Sequence, residues 1–391
     1  MSVGLGEDSL KRPVSPGEAP GFSEDQVLRF RLARQHLAEP APLESLAFVA
    51  GDVCGVQAQV TSSVHLALGA RVREVSMDHI ERALAVDKSL VKTWAMRGTV
   101  HVLPACDLAM YTGALGQSAE RHEEWWSNRR NVARETILDM LRASVEALAG
   151  GPLTRKELSL RVASRHKDHA EEFINDSWGG IVKQASLQGQ VCFGPSRGQE
   201  ITFVRTDEWL PGHGSMPAEE AENELYRRYL RSYGPATPRD FSYWSGMRAL
   251  RVGAIVERLA GELVTVDVSG RTALLLDSDI PALENAPPVH RNVRLLPFFD
   301  AYLLAHQDKS LFLDQAYYKS VYRKAGWISP VVLVDGRVAG VWSHKRVGKR
   351  LEFSVALFRP LSEATRHSVE GEACAIGDLL GMQVASIAYS C

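Results

Sequence analysis

The chain has 391 residues, 45% of them apolar and 24% charged, and its formal net charge is −2. This length exceeds what one simple core accommodates, and we expect about two to four domains in a globular protein of ordinary composition. The near-neutral charge counts against a nucleic-acid-binding protein unless the positive charge is concentrated on one face, and no apolar run is long enough to cross a membrane.

The N-terminus and the cysteines indicate where the protein works. Residues 1–21, MSVGLGEDSLKRPVSPGEAPG, are polar and rich in Gly, Pro and Ser. They lack the apolar segment of a signal peptide, and we expect a disordered arm. The five cysteines are scattered, odd in number and never spaced as CxxC. A zinc site is therefore not expected, and a reducing cytoplasm is favoured.

Helical patterns and a hairpin are predicted between residues 22 and 130. The segment SEDQVLRFRLARQHL has apolar residues at helical spacing behind a cap, Ser23. A second helix, SMDHIERALAVDKSL, begins after Ser76, and alternation around Gly98 in KTWAMRGTVHVLP indicates a small hairpin. We therefore predict a first winged-helix unit over residues 22–130.

Residues 131–215 and 216–284 repeat this plan. In the second unit a Gly-Gly-Pro stop separates two helices, and QVCFGPSRGQEITFVRT has two β-rich runs joined by a turn. In the third unit, AENELYRRYLRSYG and two further helical segments precede ELVTVDVSGRTALLLD, two alternating strands with a Ser-Gly turn. Helices followed by a β-hairpin are typical of a winged helix, so the sequence predicts three tandem units.

Residues 285–391 are rich in predicted strands. NVRLLPFFDAYLLAH precedes SPVVLVDGRVAGVWSHKRVGKRLEFSVALF, which contains three strands separated by Asp-Gly and basic turns. We predict a small β-barrel-like domain here, followed by a helix near SEATRHSVEGEACAIGDLLG. The predicted fold class is α+β, with three tandem winged-helix motifs before a C-terminal β-barrel-like domain.

Four phrases, in this order, carry a resemblance to a known family: GVQAQV, KTWAMRGTVHVLP, RLLPFFDAYLLAHQDK and VLVDGRVAGVW. From about Gln26 to about Arg359, the chain resembles the bacterial winged-helix family of the AlkZ and YcaQ DNA glycosylases. The resemblance implies three winged-helix motifs, a C-terminal β-barrel, and removal of alkylated bases from DNA, including bulky adducts and interstrand crosslinks. The catalytic motif of that family is Gln-x-Gln or Gln-x-Asp. Gln57, Ala58 and Gln59 match its first, AlkZ-like form.

Two glutamines suit the removal of a base that is already activated. Alkylation of guanine at N7 makes the base cationic and a good leaving group, so little acid catalysis is needed. The oxocarbenium-like transition state needs a held water and polar oxygens near the developing charge, which carboxamides supply. Gln57 and Gln59 share a side only on extended backbone, because a helix would place them ~200° apart. We expect an extended or turn segment, and no strand cleavage, since no lysine adjoins the pair.

Aromatic and polar residues elsewhere have competing interpretations. Arg97 and His101, beside the first hairpin, either line a lesion pocket and touch phosphates or are a solvated arginine and a half-buried histidine. Trp125 and Trp126 resemble a base-stacking pair, but such a pair is more often a corner of the core, which we favour.

Histidine and carboxylates in FFDAYLLAHQDK resemble metal ligands. The spacing of Asp300, His306 and Asp308 matches no zinc pattern, so we expect structural or DNA-facing roles and neither a metal nor a cofactor. The densest basic run is SHKRVGKRLE, at a predicted hairpin tip. The residues that we predict to bind DNA are Arg97, His101, Lys309, Arg323, Lys324, Lys345, Arg346, Lys349 and Arg350.

The leading hypothesis is a monofunctional DNA glycosylase that removes cationic alkylpurines from double-stranded DNA. We expect a monomer in the cytoplasm, associated with the nucleoid, that serves DNA repair or self-resistance to a genotoxin. The alternative is a non-catalytic winged-helix transcriptional regulator, because winged helices usually bind DNA without chemistry. The Gln pair and the β-rich C-terminal segment favour the enzyme. Release of free base from alkylated DNA distinguishes the two.

Overall fold

The computed structural model describes residues 19–116, 131–166, 169–176 and 179–390. The predicted arm lies outside the described residues except for its last three positions, and Trp125 and Trp126 lie outside them as well. Two helices begin where the sequence places their caps. Ser23 and Ser76 each exchange hydrogen bonds with the residue three positions later, which satisfies free N–H groups of the first turn.

Short helices alternate with small sheets along the chain. The helices are α1 (Glu24–Arg34), α2 (Leu46–Asp52), α3 (Thr61–Gly69), α4 (Met77–Ala85), α5 (Leu108–Leu115), α6 (Arg134–Ala147), α7 (Arg155–Ala163), α8 (Ala170–Ile174), α9 (Gly180–Leu187), α10 (Thr206–Trp209), α11 (Ala218–Tyr233), α12 (Pro238–Ser245), α13 (Ala249–Arg258), α14 (Ile280–Glu284), α15 (Ala301–Leu304), α16 (Tyr318–Val321) and α17 (Glu363–Leu380). The strands are β1 (Gly21–Phe22), β2 (Val56–Gln57), β3 (Leu90–Trp94), β4 (Val100–Pro104), β5 (Leu153–Thr154), β6 (Val191–Arg197), β7 (Glu200–Arg205), β8 (Leu263–Val268), β9 (Arg271–Leu276), β10 (Val293–Leu296), β11 (Val331–Val334), β12 (Arg337–Val347), β13 (Arg350–Leu357) and β14 (Gln383–Ser390).

Three successive units share one element order, in which a β-hairpin follows helices. Their sheets have the strand orders β2-β4-β3, β5-β7-β6 and β1-β8-β9. The short strands β2 and β5 each pair with the second strand of their hairpin. In the third unit, an isolated bridge between Ala236 and Leu274 holds the equivalent place. The mixed α+β character predicted from the sequence is confirmed.

The N-terminal strand and helix pack with the third unit rather than with the first. β1 runs parallel to β8, with Gly21 opposite Asp267. Gly21 is thus part of a sheet, although the sequence assigned it to the disordered arm. The apolar face of α1, including Leu28 and Leu32, is buried in one cluster with Leu275 of β9. The predicted boundary between the arm and the first unit therefore does not coincide with a boundary in packing.

The C-terminal strands form an open sheet and not the predicted barrel. Its order is β10-β11-β12-β13-β14, and its edge strands β10 and β14 do not pair with each other. The predicted helix is present as α17, with Ser362 as its cap, but a further strand follows it. Because α17 connects β13 to a parallel neighbour, β14, the chain extends the sheet at its edge rather than closing it.

The residues that the structure describes form three apolar clusters. One joins the first unit, helices α11 to α13 and the C-terminal sheet; the second joins α1, the β8–β9 hairpin and the segment after β10; the third lies in the second unit. Trp94 of β3 belongs to the third cluster, with its ring centroid 4.6 Å from that of Phe193. The second unit is therefore attached to the first through this tryptophan. No described helix is both long and apolar enough to cross a membrane.

A buried ion pair ties the first unit to the C-terminal segment. Arg71 donates two parallel hydrogen bonds to Asp300, of 2.8 and 2.7 Å, and both side chains are almost completely buried. Loss of either partner would strand a buried charge, at a cost of about 3–5 kcal/mol. His306 is also buried and donates to a carbonyl of α11, whereas Asp308 accepts from Arg271 at the surface. Among the residues described, no group of three His, Cys, Asp or Glu side chains is placed to hold a metal ion.

Candidate functional site

The two glutamines lie where the chain passes from β2 into a bend. Gln57 ends β2 opposite His101 of β4, and the N–H of Ala58 donates to the carbonyl of Val100 at 2.7 Å. Gln59 lies in the bend before α3. The prediction of an extended or turn segment is confirmed. Gln57 is buried, so its carboxamide is surrounded by protein, whereas Gln59 is exposed and its carboxamide is accessible to solvent.

A tight turn after α2 delivers the chain into β2. Cys54 and Gly55 have positive φ angles of 52° and 91°. A Cβ at Gly55 would lie 2.4 Å from Cδ2 of Leu103 in β4. Glycine meets both requirements, because it tolerates a positive φ and allows the backbone to approach β4 closely. The glycine before the Gln-x-Gln motif therefore places Gln57 against the first hairpin.

Arg97, at the tip of this hairpin, holds the side chain of Gln57. Its Nη2 donates to Oε1 of Gln57 at 3.0 Å, and its Nη1 donates to the carbonyl of Trp244 in α12. Arg97 has a φ of 55°, and a Cβ on Gly246 would lie 3.2 Å from its Cα. The third unit and the hairpin of the first thus meet at this arginine. The guanidinium of the half-buried Arg97 is thus held by acceptors within the protein, and its contact with DNA phosphates stays a prediction.

The groups around Gln57 are a cation and a neutral histidine. Burial lowers the pKa of Arg97 to about 10, which leaves it charged at neutral pH. Burial and the nearby Arg97 lower the pKa of His101 to about 3, so its imidazole is neutral. His101 is only 2% exposed, and its Nδ1–H donates to the carbonyl of Thr99 at 3.0 Å. The ring therefore lies inside the first unit, a position that does not support the predicted contact of His101 with DNA.

Lys309 is also buried rather than available to DNA phosphates. Its Nζ donates to the carbonyls of Leu303, at 3.0 Å, and His306. The same Nζ lies 5.0 Å from the ring centroids of both Tyr243 and Tyr322. Burial lowers the pKa of Lys309 to about 7. This buried position against two aromatic rings does not support the predicted contact of Lys309 with phosphates.

The other predicted DNA-binding residues are exposed. Arg323 and Lys324 lie in the loop between α16 and β11. Lys345 pairs with Glu352 across the β12–β13 hairpin at 2.8 Å. The turn of that hairpin is surrounded by four exposed cations, as predicted: Lys345, Arg346, Lys349 and Arg350. Whether these six side chains contact DNA stays a prediction.

A half-buried lysine of the second unit, which was not predicted to lie near the site, lies against the first hairpin. A Cβ on Gly98 would lie 2.5 Å from Nζ of Lys183, so this ammonium packs beside the residue that follows Arg97. Burial lowers the pKa of Lys183. A Cβ on Gly179 would lie 2.9 Å from the ring of Trp94. The Gly-Gly pair in SWGGIVK could have indicated this contact, because glycine allows the backbone of the second unit to approach Trp94 closely.

Acidification should destabilise the fold through two buried histidines. Burial lowers the pKa of His101 to about 3 and that of His306 well below its ordinary value of 6.5. Between the folded values and 6.5, only the unfolded chain binds these protons. The free energy of unfolding therefore falls as the pH drops below 6.5, by up to about 1.4 kcal/mol per pH unit for each histidine. Urea unfolding at pH 7.5 and pH 5.5 measures the loss.

A matched variant isolates one of these groups. In His306→Gln, the amide can still donate to the carbonyl of α11 but does not titrate. Its loss of stability between pH 7.5 and 5.5 should be smaller than that of the natural chain by about 1.4 kcal/mol. Equal losses in the two proteins would contradict the assignment.

Comparisons with known proteins point to one kind of enzyme. A family model described as "DNA glycosylase AlkZ-like" matches residues 50–379, a range that includes Gln57, Gln59 and Arg97. An interstrand DNA cross-link repair glycosylase from Streptomyces sahachiroi is 36% identical over 324 residues, which cover 81% of this chain and 86% of that protein. The solved structure of the Streptomyces sahachiroi DNA glycosylase AlkZ is similar with a TM-score of 0.84 and 30% identity, over 95% of this chain and 100% of that one.

Proposed function

Because this chain belongs to the AlkZ-like DNA glycosylase family, we propose that it hydrolyses the N-glycosidic bond of cationic N7-alkylguanine-type lesions, including bulky adducts or interstrand crosslinks. The surroundings of Gln57 are the observation that supports this class of substrate. Gln57 contacts a guanidinium and lies opposite a histidine that stays neutral. Such a site favours a base that leaves without being protonated. The description of the Streptomyces relative as a cross-link repair enzyme supports the crosslink part of the proposal.

In this proposal, Gln57, Gln59 and Arg97 have separate tasks. The hydrogen bond from Arg97 turns Oε1 of Gln57 toward the guanidinium, so the NH₂ group faces away and is free to donate to DNA. The exposed carboxamide of Gln59 offers an oxygen that holds the attacking water and faces the developing positive charge. Arg97 is a positioning residue, since it acts through Gln57. Gln57 and Gln59 are the proposed catalytic residues.

The three units provide the proposed DNA-binding surface. We assign winged-helix motifs to residues 22–130, 131–215 and 216–284, and a C-terminal β-rich domain to residues 285–391. The repeated order of helices and hairpin supports this assignment. Each hairpin belongs to a three-stranded sheet, which in the third unit is completed by β1 from the N-terminus. The packing of α1 with the third unit adds the N-terminal helix to that unit.

The expected product is a free alkylated base and an intact abasic strand. Purified protein incubated with a duplex that contains one N7-methylguanine should release the base, detected by mass spectrometry. Borohydride should trap no protein–DNA adduct, because water rather than an amine attacks the sugar. Absence of release, combined with tight binding to one unmodified sequence, would instead support the regulator.

The basic hairpin tip is expected to contribute to the salt dependence of DNA binding. Neutralised phosphates release counterions, so affinity for duplex DNA should fall steeply with salt. Replacing Lys345, Arg346, Lys349 and Arg350 by Gln should flatten the plot of log affinity against log salt by up to about four units of slope. Fluorescence anisotropy with a labelled duplex at several salt concentrations measures the slope.

A reciprocal variant is the control for this prediction. Glu352→Gln removes the carboxylate that pairs with Lys345. It should raise DNA affinity at low salt, because a cation of the hairpin becomes free. An unchanged slope in the quadruple variant would place the phosphate contacts on other parts of the three units.

The proposed partner is double-stranded DNA carrying alkylated purines, bound by a monomer. DNA repair places the protein in the cytoplasm with the nucleoid, and self-resistance to a DNA-alkylating metabolite is the proposed biological role. No cofactor takes part in the proposed reaction, since hydrolysis of the N-glycosidic bond requires only water and the substrate.

A further inference from the structure

A row of tyrosine rings begins beside the residue that holds Gln57. Arg97 donates to the carbonyl of Trp244, and the preceding residue, Tyr243, is 40% exposed. Burial raises the pKa of Tyr243, and the charge of the nearby Arg97 opposes that shift. The row therefore starts next to the proposed catalytic residue and continues away from it.

The far part of the row comes from α16 and the residue after it. The rings of Tyr318 and Tyr322 stack, with centroids 4.9 Å apart and planes 23° from parallel. The hydroxyl of Tyr322 donates to the carbonyl of Leu303 at 2.6 Å, whereas Tyr318 is 36% exposed. Tyr322 thus supports Tyr318 from below. Lys309 contacts both Tyr243 and Tyr322, which joins the two parts of the row.

We propose that Tyr243 and Tyr318 form a stacking surface for the cationic base and the group attached to it, while the sugar lies at Gln57. Ring faces attract cations through the aromatic quadrupole, and they stack on planar bases without regard to sequence. An alkylated purine is both planar and positively charged. This inference rests on the proposed function and adds the residues that hold the leaving group.

The end of the row has the composition expected next to nucleic acid. The loop that follows Tyr322 carries the exposed cations Arg323 and Lys324 and the side chain of Trp327, which is 46% exposed. Trp327 packs its ring against Phe299, at 5.3 Å between centroids. A base or adduct that extends along the tyrosines therefore meets a further aromatic ring, that of Trp327, and two positive charges that suit a flanking phosphate.

Contacts with Lys309 fix the ring of Tyr243 in place before any ligand binds. Its Nζ donates to two backbone carbonyls and contacts the face of Tyr243 from the protein side. That contact occupies one face of the ring and leaves the exposed part for a ligand. A ring that is fixed before binding loses little conformational entropy when a base stacks on it.

The test compares leucine and phenylalanine at both positions in the full-length protein. Tyr243→Leu and Tyr318→Leu remove the ring, whereas Tyr243→Phe and Tyr318→Phe keep it. Binding is measured by anisotropy on duplexes with 2′-fluorinated N7-methylguanosine or N7-benzylguanosine, whose glycosidic bond resists hydrolysis. Single-turnover base release is measured on the cleavable counterparts. Phe48→Ala, at a residue 76% exposed and outside the row, is the control for loss of exposed apolar surface.

The leucine variants should bind the lesion duplexes about 5- to 100-fold more weakly, and the phenylalanine variants should stay within about twofold of the natural chain. Tyr318→Leu should lose more on the benzylated than on the methylated lesion. Leucine variants that bind like the natural chain, or phenylalanine variants as weak as the leucine ones, would overturn the inference. Ring-dependent binding without any base release would support the stacking surface and overturn the proposed catalysis instead.

Discussion

Replacing Gln57 by Ala should slow release of N7-alkylguanine by about 10- to 1,000-fold, and Gln59→Ala should have an effect in the same range. Gln59 is proposed to hold the attacking water and to face the positive charge that develops on the sugar in the transition state, while the NH₂ group of Gln57 holds the DNA in place for that attack. Their loss should therefore lower the single-turnover rate while DNA affinity stays nearly unchanged. Both quantities are measured on one duplex that contains N7-methylguanine.

The two positions differ in how cleanly they test catalysis. Gln57→Ala also removes an acceptor of the half-buried Arg97, and a buried donor left without a partner costs at most about 1–3 kcal/mol. Thermal unfolding must therefore accompany the kinetics of that variant. Gln59 is exposed, so its replacement tests the chemistry alone. Gln190→Ala, at an exposed glutamine of the second unit, should leave the rate unchanged. A double variant of Gln57 and Gln59 that releases base at the natural rate would show that the catalytic assignment is wrong.

The sequence predicted the backbone at the glutamines better than the surroundings of their side chains. Side chains two residues apart lie on the same side only if the backbone is extended, which follows from backbone geometry alone, and the observed strand and bend agree with it. The partner of Gln57 could not be predicted in the same way. Arg97 reaches Gln57 only because a hairpin and the end of α12 converge, which depends on packing between units far apart in the chain.

Charge in the sequence was a poor guide to contact with DNA. Lys309 was predicted to bind DNA because it adds positive charge, and His101 because it flanks the first hairpin, yet both are buried and hydrogen-bonded to backbone carbonyls. A lysine is rarely buried, and the aromatic rings that surround Lys309 come from α12 and from the segment after α16. Only the tertiary fold brings those segments together.

The C-terminal sheet shows a similar limit. Strands β11 to β13 follow from alternation and from turns such as Asp-Gly, which act locally. β14 was not predicted, because it pairs with β13 in parallel and α17 connects the two strands. The sequence therefore contains no hairpin turn that would indicate this pairing. An extra parallel edge strand changes a predicted barrel into an open sheet. Long-range pairing, rather than local propensity, decides the architecture here.

The choice of lesion should depend on charge more strongly than on any single residue. Neutral carboxamides do not protonate a departing base, and His101 stays neutral down to about pH 3. The substrate must therefore supply its own activation. Guanine alkylated at N7 and adenine alkylated at N3 are cationic, whereas uracil and 8-oxoguanine are not. In a panel of duplexes with one lesion each, we expect single-turnover release of the cationic bases to exceed that of the neutral ones by at least about 1,000-fold.

The same panel tests whether the site accepts bulk. Glycosylases commonly flip the target into a snug pocket, which rejects large adducts. Here Gln59 is exposed and the neighbouring tyrosines are only partly covered, so the site opens to one side. Benzylated and methylated N7-guanines should therefore be released at rates within about tenfold of each other. Efficient excision of uracil would overturn the argument from leaving-group charge. Release of small cationic bases without any bulky one would overturn the open site, because a closed pocket would then have to form around the base when DNA binds.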